Sequence, residues 1–178
     1  MPQIISHHLA LREYLAPLHA QNQTIGLVPT MGALHAGHIS LIQRAKMSCD
    51  VVVASIFVNP KQFGPKEDFS RYPRPIEADI AALKKAGAHV AYLPSAEDMY
   101  PSGFSTNINV SGVSESLCGA VRPGHFDGVA TIVCKLLMQS QPDRAFFGEK
   151  DYQQLHVITR MTQDLNLPVE IIPIPTIR

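Results

Sequence analysis

Two histidines, His35 and His38, stand three residues apart on either side of Gly37, in the run Pro29-Thr30-Met31-Gly32-Ala33-Leu34-His35-Ala36-Gly37-His38. The run lies between a stretch of branched apolar residues and a segment with helical spacing, so it reads as a strand-to-helix turn. Gly32 permits a tight turn, and Gly37 lets a ligand approach the helix N-terminus without meeting a side chain. Backbone N–H groups and the positive end of the helix then face the loop, an arrangement suited to phosphate, with both imidazoles within reach of one phosphate chain. A generic pair of histidines at this spacing is more often a surface or capping feature; its place at a strand-to-helix turn favours the ligand reading. No third ligand follows at a zinc-like spacing, and the glycines match neither the P-loop nor the dinucleotide fingerprint.

Three other segments carry polar groups to the same kind of position. Asn59 and Gln62 follow the second apolar run, and the plainer reading of Asn59 is an Asn-Pro turn. Gly148-Glu149-Lys150-Asp151 follows the fourth run and opens a helix, offering backbone donors beside a lysine; the alternative is a charged helix start capped by Asp151. Arg122 and His125 precede a helix and rank lower. Asp79 could reach a magnesium ion, but an exposed helical aspartate is the preferred reading, and no set of metal ligands stands out.

Elements that could position these groups alternate along the chain. Thr24–Val28, Val51–Val58, His89–Leu93, Asp143–Phe147 and Val169–Ile174 read as buried strands. Between them Ile39–Ser48, Ile76–Ala86, Val129–Gln139 and Gln153–Leu165 have helical spacing. Ser6–Ala20 adds a helix ahead of the first strand, with Leu9, Leu11, Leu15 and Leu18 on or near one side. The expectation is an α/β, Rossmann-like doubly wound sheet of five mainly parallel strands with helices on both faces. Ser105–Val110 is expected as a short edge strand or hairpin, a candidate for meeting a second subunit. Many of the fourteen prolines, among them Pro29, Pro60, Pro94, Pro173 and Pro175, fall where strands end and would stiffen ligand-carrying loops. Lys61–Arg74, with its glycine and prolines, suits a lid.

With 178 residues the chain is expected to form a single domain, 1–178. Fifteen basic residues balance fifteen acidic ones, so no net field attracts nucleic acid or an anionic membrane, and an anionic ligand must be held by local donors. Cys49, Cys118 and Cys134 lack the spacing of a zinc site and read as reduced thiols. His7, His8, Arg12 and Glu13 interrupt any leader-like apolar run, and a cytoplasmic protein is expected.

The His-x-Gly-His turn resembles that of the nucleotidyltransferase superfamily, which includes class I aminoacyl-tRNA synthetases and small-molecule adenylyltransferases. Its flanks narrow the likeness. Met31 to His38 is similar to the pantothenate synthetase form of the turn, as are Phe57-Val58-Asn59-Pro60-Lys61-Gln62-Phe63-Gly64, Tyr72-Pro73-Arg74, and Phe147-Gly148-Glu149-Lys150-Asp151-Tyr152-Gln153-Gln154-Leu155. The resemblance runs to Pro175-Thr176-Ile177-Arg178 and covers essentially the whole chain.

That resemblance implies ATP-dependent joining of pantoate to β-alanine through a pantoyl adenylate, with magnesium accompanying ATP. It implies ATP contacts from Met31 to His38, from Gly148 to Asp151 and at Ile177. Pantoate contacts are implied at Gln62 and Gln154, and a β-alanine contact at Gln62. Neutral amides suit this task, since they grip hydroxyls and a carboxylate without neutralising the nucleophile. His38 is expected as the main catalytic residue, with His35 and Lys150 sharing the charge. Pro29, Thr30, Asn59, Tyr72, Arg122 and His125 are further candidates. The family is usually dimeric and continues past Arg178 into a Met-Ser-Ser-Arg-Asn segment and a smaller domain, so this chain is expected to be its N-terminal domain, weakly active or inactive alone. Competing expectations are another small-molecule adenylyltransferase, or a noncatalytic nucleotide-binding or dimerisation domain.

Overall fold

Runs such as Ile25-Gly-Leu-Val-Pro-Thr and Val51-Val-Val-Ala-Ser-Ile carry apolar residues on both sides of the pleat, which only a strand covered on both faces can bury. A computed structural model describes residues 1–64, 69–114 and 121–177 and shows that arrangement. Six strands, β1 (Gln3–Ile5), β2 (Ile25–Thr30), β3 (Val51–Ile56), β4 (Val90–Tyr92), β5 (Arg144–Gly148) and β6 (Glu170–Ile174), form one sheet in the order β1-β4-β3-β2-β5-β6. Every pairing in it is parallel.

The helices are α1 (His8–Ala20), α2 (Ala36–Ser48), α3 (Ile76–Ala86), the short α4 (Ala96–Met99), α5 (His125–Ser140) and α6 (Tyr152–Asp164). Leu27, Val53, Tyr92 and Phe147 point to one face, where Leu11 and Leu15 of α1, Val133 and Leu136 of α5 and Ile158 of α6 cover them. Val28, Val52, Ala54 and Phe146 point to the other, covered by Leu41 and Ile42 of α2 and Leu83 of α3. The switch between these faces follows the two-residue period of the strands.

β2 lies beside β3 on one side and β5 on the other, so the order of the chain reverses there. Ligands in open α/β sheets bind outside the carboxyl ends of the strands at such a reversal. β2 pairs with β3 over all six residues but with β5 only at Gly26 and Leu27. Pro29, which has no N–H to donate, falls beyond the last β2–β5 pair, where a proline costs the ladder nothing on that side. The parting of the two strands opens a crevice.

Three expectations change. The sheet has a sixth strand, β1, whose three residues pair with β4 at the edge. Ser105–Val110 is not a strand: its Ile108 N–H donates to Thr131 Oγ1 at 2.9 Å and Asn109 Nδ2 to Asp127 Oδ1 at 2.9 Å, so α5 supplies the partners that a neighbouring strand would have supplied. Leu9 of α1 is exposed, and burial falls to Leu11 and Leu15. Cys49 is buried and Cys134 half-buried, both as free thiols, while Cys118 lies outside the described residues. The proposed lid is described only in part, as turns of 3-10 helix at Pro60–Gln62 and Phe69–Arg71. No helix among the described residues is long and apolar enough to cross a membrane.

Candidate functional site

The turn after β2 is fixed by side chains at both ends. Thr30 Oγ1 donates to the Ser55 carbonyl at 2.7 Å and accepts from Gly32 N–H at 3.2 Å. Gly32 and Ala33 both adopt positive φ, 80° and 49°, which costs little at a glycine and about 1 kcal/mol at an alanine. Asp79 of α3 accepts from the next two amides, Ala33 N–H at 2.9 Å and Leu34 N–H at 2.8 Å. It is 2% exposed, which overturns the expectation of a solvent-facing helical aspartate. The signal was present in the sequence, because Asp79 falls in line with Leu83 and Ala86 on the buried stripe of α3.

His35 and His38 cap α2 reciprocally. His35 Nδ1 accepts from Gly37 N–H at 3.1 Å, and His38 Nδ1 accepts from His35 N–H at 3.4 Å. The rings lie 4.0 Å apart between centroids. The structure therefore shows the capping role, and the cap engages only the Nδ1 side of each ring. With both Nδ1 atoms accepting, each neutral ring carries its proton on Nε2, free to donate outward. Gly37 has a more local duty than expected: a Cβ there would stand 2.9 Å from His35 Cε1, so glycine makes room for the capping imidazole. Its amide is likewise already engaged by His35.

His38 has its pKa lowered to about 4, by burial first, then by His35 and Lys150, against the opposing charges of Asp79 and Asp151. At neutral pH the imidazole is a neutral Nε2–H donor. A triphosphate beside it opposes both the burial penalty and the neighbouring positive charge, and so moves it back toward the cationic form.

His38 opens onto a cavity of about 150 Å³ in the crevice beyond β2 and β5. Gln62, Gln154, Asn59 and Asp151 supply its other polar walls, and Pro29, Thr30 and Met31 its β2 side. The floor is apolar, built from Val129, Ile132, Val133 and Leu136 of α5 with Phe147 of β5. A second cavity of about 350 Å³ shares the Met31 and Phe57 walls and is lined by Asp79, Arg74 and Phe69.

The 59–62 segment owes its position to α5. Asn59, 1% exposed, donates from Nδ2 to Gln62 Oε1 at 3.1 Å and to the Gly128 carbonyl at 3.0 Å. Its Oδ1 accepts from Tyr100 Oη at 2.7 Å and Lys61 N–H at 3.3 Å. The Asn59 amide is thus consumed in holding Gln62. Gln62 Nε2 contacts Met31 Sδ at 2.9 Å. Arg122 and His125 reach the Gln62 carbonyl, at 3.5 and 2.8 Å, so they brace the backbone of the segment. Sequence reasoning gave no weight to Gly128, yet a Cβ there would meet the Lys61 carbonyl oxygen at 2.4 Å, so α5 can approach only at a glycine.

The remaining candidates divide. Glu149–Asp151 forms a single 3-10 turn between β5 and α6, and Asp151, exposed and among the residues lining the cavity, occupies the N-cap position of α6 without a capping hydrogen bond. Lys150 is exposed, and its charge is felt at His38. A Cβ on Gly148 would meet nothing within 4 Å, so the space above β5 is open. Tyr72 packs edge-on against Phe63 at 5.7 Å, and burial, with Asp79 beside it, pushes its hydroxyl pKa up. Ile177, past the end of β6, is 54% exposed and lines no part of the cavity. Among the described residues no three His, Cys, Asp or Glu side chains gather as a metal site.

A wholly parallel sheet with an opened reversal point, a His-x-Gly-His helix cap and a small amide-walled cavity define a Rossmann-like α/β domain with a candidate ligand site at its switch point. The chain belongs to the pantoate-beta-alanine ligase family, whose profile matches residues 3–178. A pantothenate synthetase of Paramagnetospirillum magneticum is 57% identical over 175 residues, 98% of this chain and 62% of that protein. One from Deinococcus radiodurans is 60% identical over 159 residues, 89% of this chain and 57% of the relative. The fold matches the crystal structure of pantothenate synthetase from Thermus thermophilus with a TM-score of 0.94 at 50% identity, over 99% of this chain and 62% of that one. It also matches pantoate-beta-alanine ligase from Francisella tularensis, complexed with beta-gamma ATP and beta-alanine, with a TM-score of 0.95 at 42% identity, over 100% of this chain and 68% of that one. The chain spans about three fifths of the length of the curated relatives it matches.

Proposed function

We propose that this chain forms the nucleotide- and pantoate-binding domain of an enzyme that condenses pantoate with β-alanine at the expense of ATP. The observation that carries the reading is the cavity at the reversal point of the sheet onto which His38, Gln62 and Gln154 converge. Pantoate is a small hydroxy acid with geminal methyl groups. An apolar floor from α5 under two amide-bearing walls fits it, with the amides on hydroxyl and carboxylate and the methyls on Val133 and Leu136.

A carboxylate does not accept an amine directly, because oxide would have to leave. Attack of a pantoate carboxylate oxygen on the α-phosphorus of ATP breaks the bond to the bridging oxygen and releases pyrophosphate. The β-alanine nitrogen then attacks the acyl carbon of the adenylate, loses a proton and expels AMP. His38, through Nε2–H, and Lys150 would stabilise charge developing on the phosphates, aided by the N-terminal end of α2, while Gly148 leaves room for the nucleotide. Ile177 would edge the nucleotide and Gln62 would serve β-alanine as well as pantoate. Magnesium would arrive on the triphosphate, held by phosphate oxygens and water. The Francisella relative, with its ATP analogue and β-alanine, supports the same pair of ligands here. The reading extends to a cytoplasmic homodimer.

Pyrophosphate release from ATP, magnesium and pantoate, with and without β-alanine, tests the proposal. Release that requires pantoate is expected. Release indifferent to pantoate would contradict it; binding of both ligands without release would restrict this chain to recognition.

A further inference from the structure

We propose that Asp79 is a positioning residue for the adenylation step: its buried carboxylate locks the Gly32–Leu34 turn and thereby sets the two imidazoles of the His35–His38 cap toward the crevice. The inference rests on the reading of His38 as the phosphate-facing group. It adds a residue that lies outside the cavity walls formed by His38, Gln62 and Gln154 and on a different helix from any of them.

Ala33 holds φ at 49°, a conformation uncommon for a residue with a Cβ, and it must be imposed by its surroundings. The amides of Ala33 and Leu34 both end on Asp79, one on each carboxylate oxygen. Only a carboxylate accepts at both oxygens; an amide would turn an N–H toward one of the two donors. The surroundings are fitted to that carboxylate, since a Cβ on Gly32 would stand 2.9 Å from Asp79 Oδ2 and 3.1 Å from Ile56. Asp79 forms no ion pair among the described residues, so its charge is answered by backbone dipoles and felt by its neighbours. His38 senses it together with His35, Lys150 and Asp151, and Tyr72 senses it from the other side. The lock also stands between the two cavities, since Asp79 lines the larger one and the Met31 next to the turn lines both.

Three measurements decide the matter, with Glu77→Gln on the exposed face of the same helix as the control. In the unmodified chain the amides of Ala33 and Leu34 should exchange with solvent at least ~100-fold more slowly than exposed loop amides. In Asp79→Asn that protection should fall, and the His38 imidazole, followed by NMR, should titrate at a lower pH than in the unmodified chain, because a negative charge that favours its cation has gone. In pyrophosphate release kcat should fall about 100-fold, with KM for pantoate changed by less than about threefold, as a misplaced charge-stabilising group predicts. Unprotected amides in the unmodified chain, or an Asp79→Asn chain that is folded with His38 titration and kcat unaltered, would overturn the proposal. If the unmodified chain releases no pyrophosphate, the exchange and titration results still decide the role of Asp79, and only the activity reading fails. If Asp79→Asn does not fold, amide protection in the unmodified chain decides.

Discussion

Replacing Gly128 by alanine probes how α5 seats the Gln62 segment. The new Cβ would stand 2.4 Å from the Lys61 carbonyl oxygen, 2.6 Å from its carbon and 2.8 Å from Gln62 N, whereas ordinary contact begins at 3.4 Å. All three atoms are backbone, so no rotamer change relieves the clash. Either α5 or the 60–62 turn must retreat by roughly 1 Å, the difference between the contact distance and the first of these values. Such overpacking costs about 1–3 kcal/mol, offset by up to about 1 kcal/mol because alanine favours the helix interior. The net expectation is a loss of about 1–2 kcal/mol, read as a lower urea midpoint at unchanged slope. The retreat also stretches the 3.0 Å bond from Asn59 to the Gly128 carbonyl and draws Gln62 off the cavity wall. A shift of this size at a positioning group costs on the order of 100-fold in the activation step. Gly148→Ala, with open space around its new Cβ, should leave the urea midpoint where it was. A Gly128→Ala chain with the stability and pantoate affinity of the original would refute the packing argument.

Asn59→Ala should destabilise by about 2–4 kcal/mol in denaturant titration, because it removes at once the partner of the half-buried Tyr100 hydroxyl, the Gly128 carbonyl and the Gln62 amide oxygen; an effect confined to ligand affinity would make Asn59 a contact residue instead. The His38 imidazole should titrate near pH 4 in the nucleotide-free chain and move upward when ATP is added; a midpoint at the ordinary 6.5 would show the ring to be solvated. The linked stability has a definite sign. The folded state binds the His38 proton less readily than the unfolded chain, so this group lowers stability as pH falls from about 6.5 toward 4 and has no effect above that window.

The parts of this architecture that repeat a period were legible in the sequence, and those that depend on a single distant contact were not. The four helices that follow the sheet's central strands declared themselves by spacing, and the buried runs at Thr24 and Val51 by their branched residues. β1 is too short to show a period, and only its β4 neighbour makes it a strand. Ser105–Val110 alternates like a strand, but its asparagines at 107 and 109 find Asp127 and the Ile108 amide finds Thr131, so side chains of α5 replaced a ladder. At the site, the His35–His38 turn was read from chemistry that local sequence displays. Asp79 was misread because its charge outweighed its place on the buried stripe, and Arg122 and His125 act on a carbonyl about sixty residues away, which no local pattern could show.

The most direct test is amide chemical-shift mapping of the isotope-labelled chain as pantoate is added in the presence of magnesium and a nonhydrolysable ATP analogue. The account predicts that pantoate perturbs Thr30, Met31, Gln62, Gln154 and the α5 floor from Val129 to Leu136 together, and that Gln154→Ala abolishes the response. Perturbations elsewhere, or a response indifferent to Gln154, would contradict it.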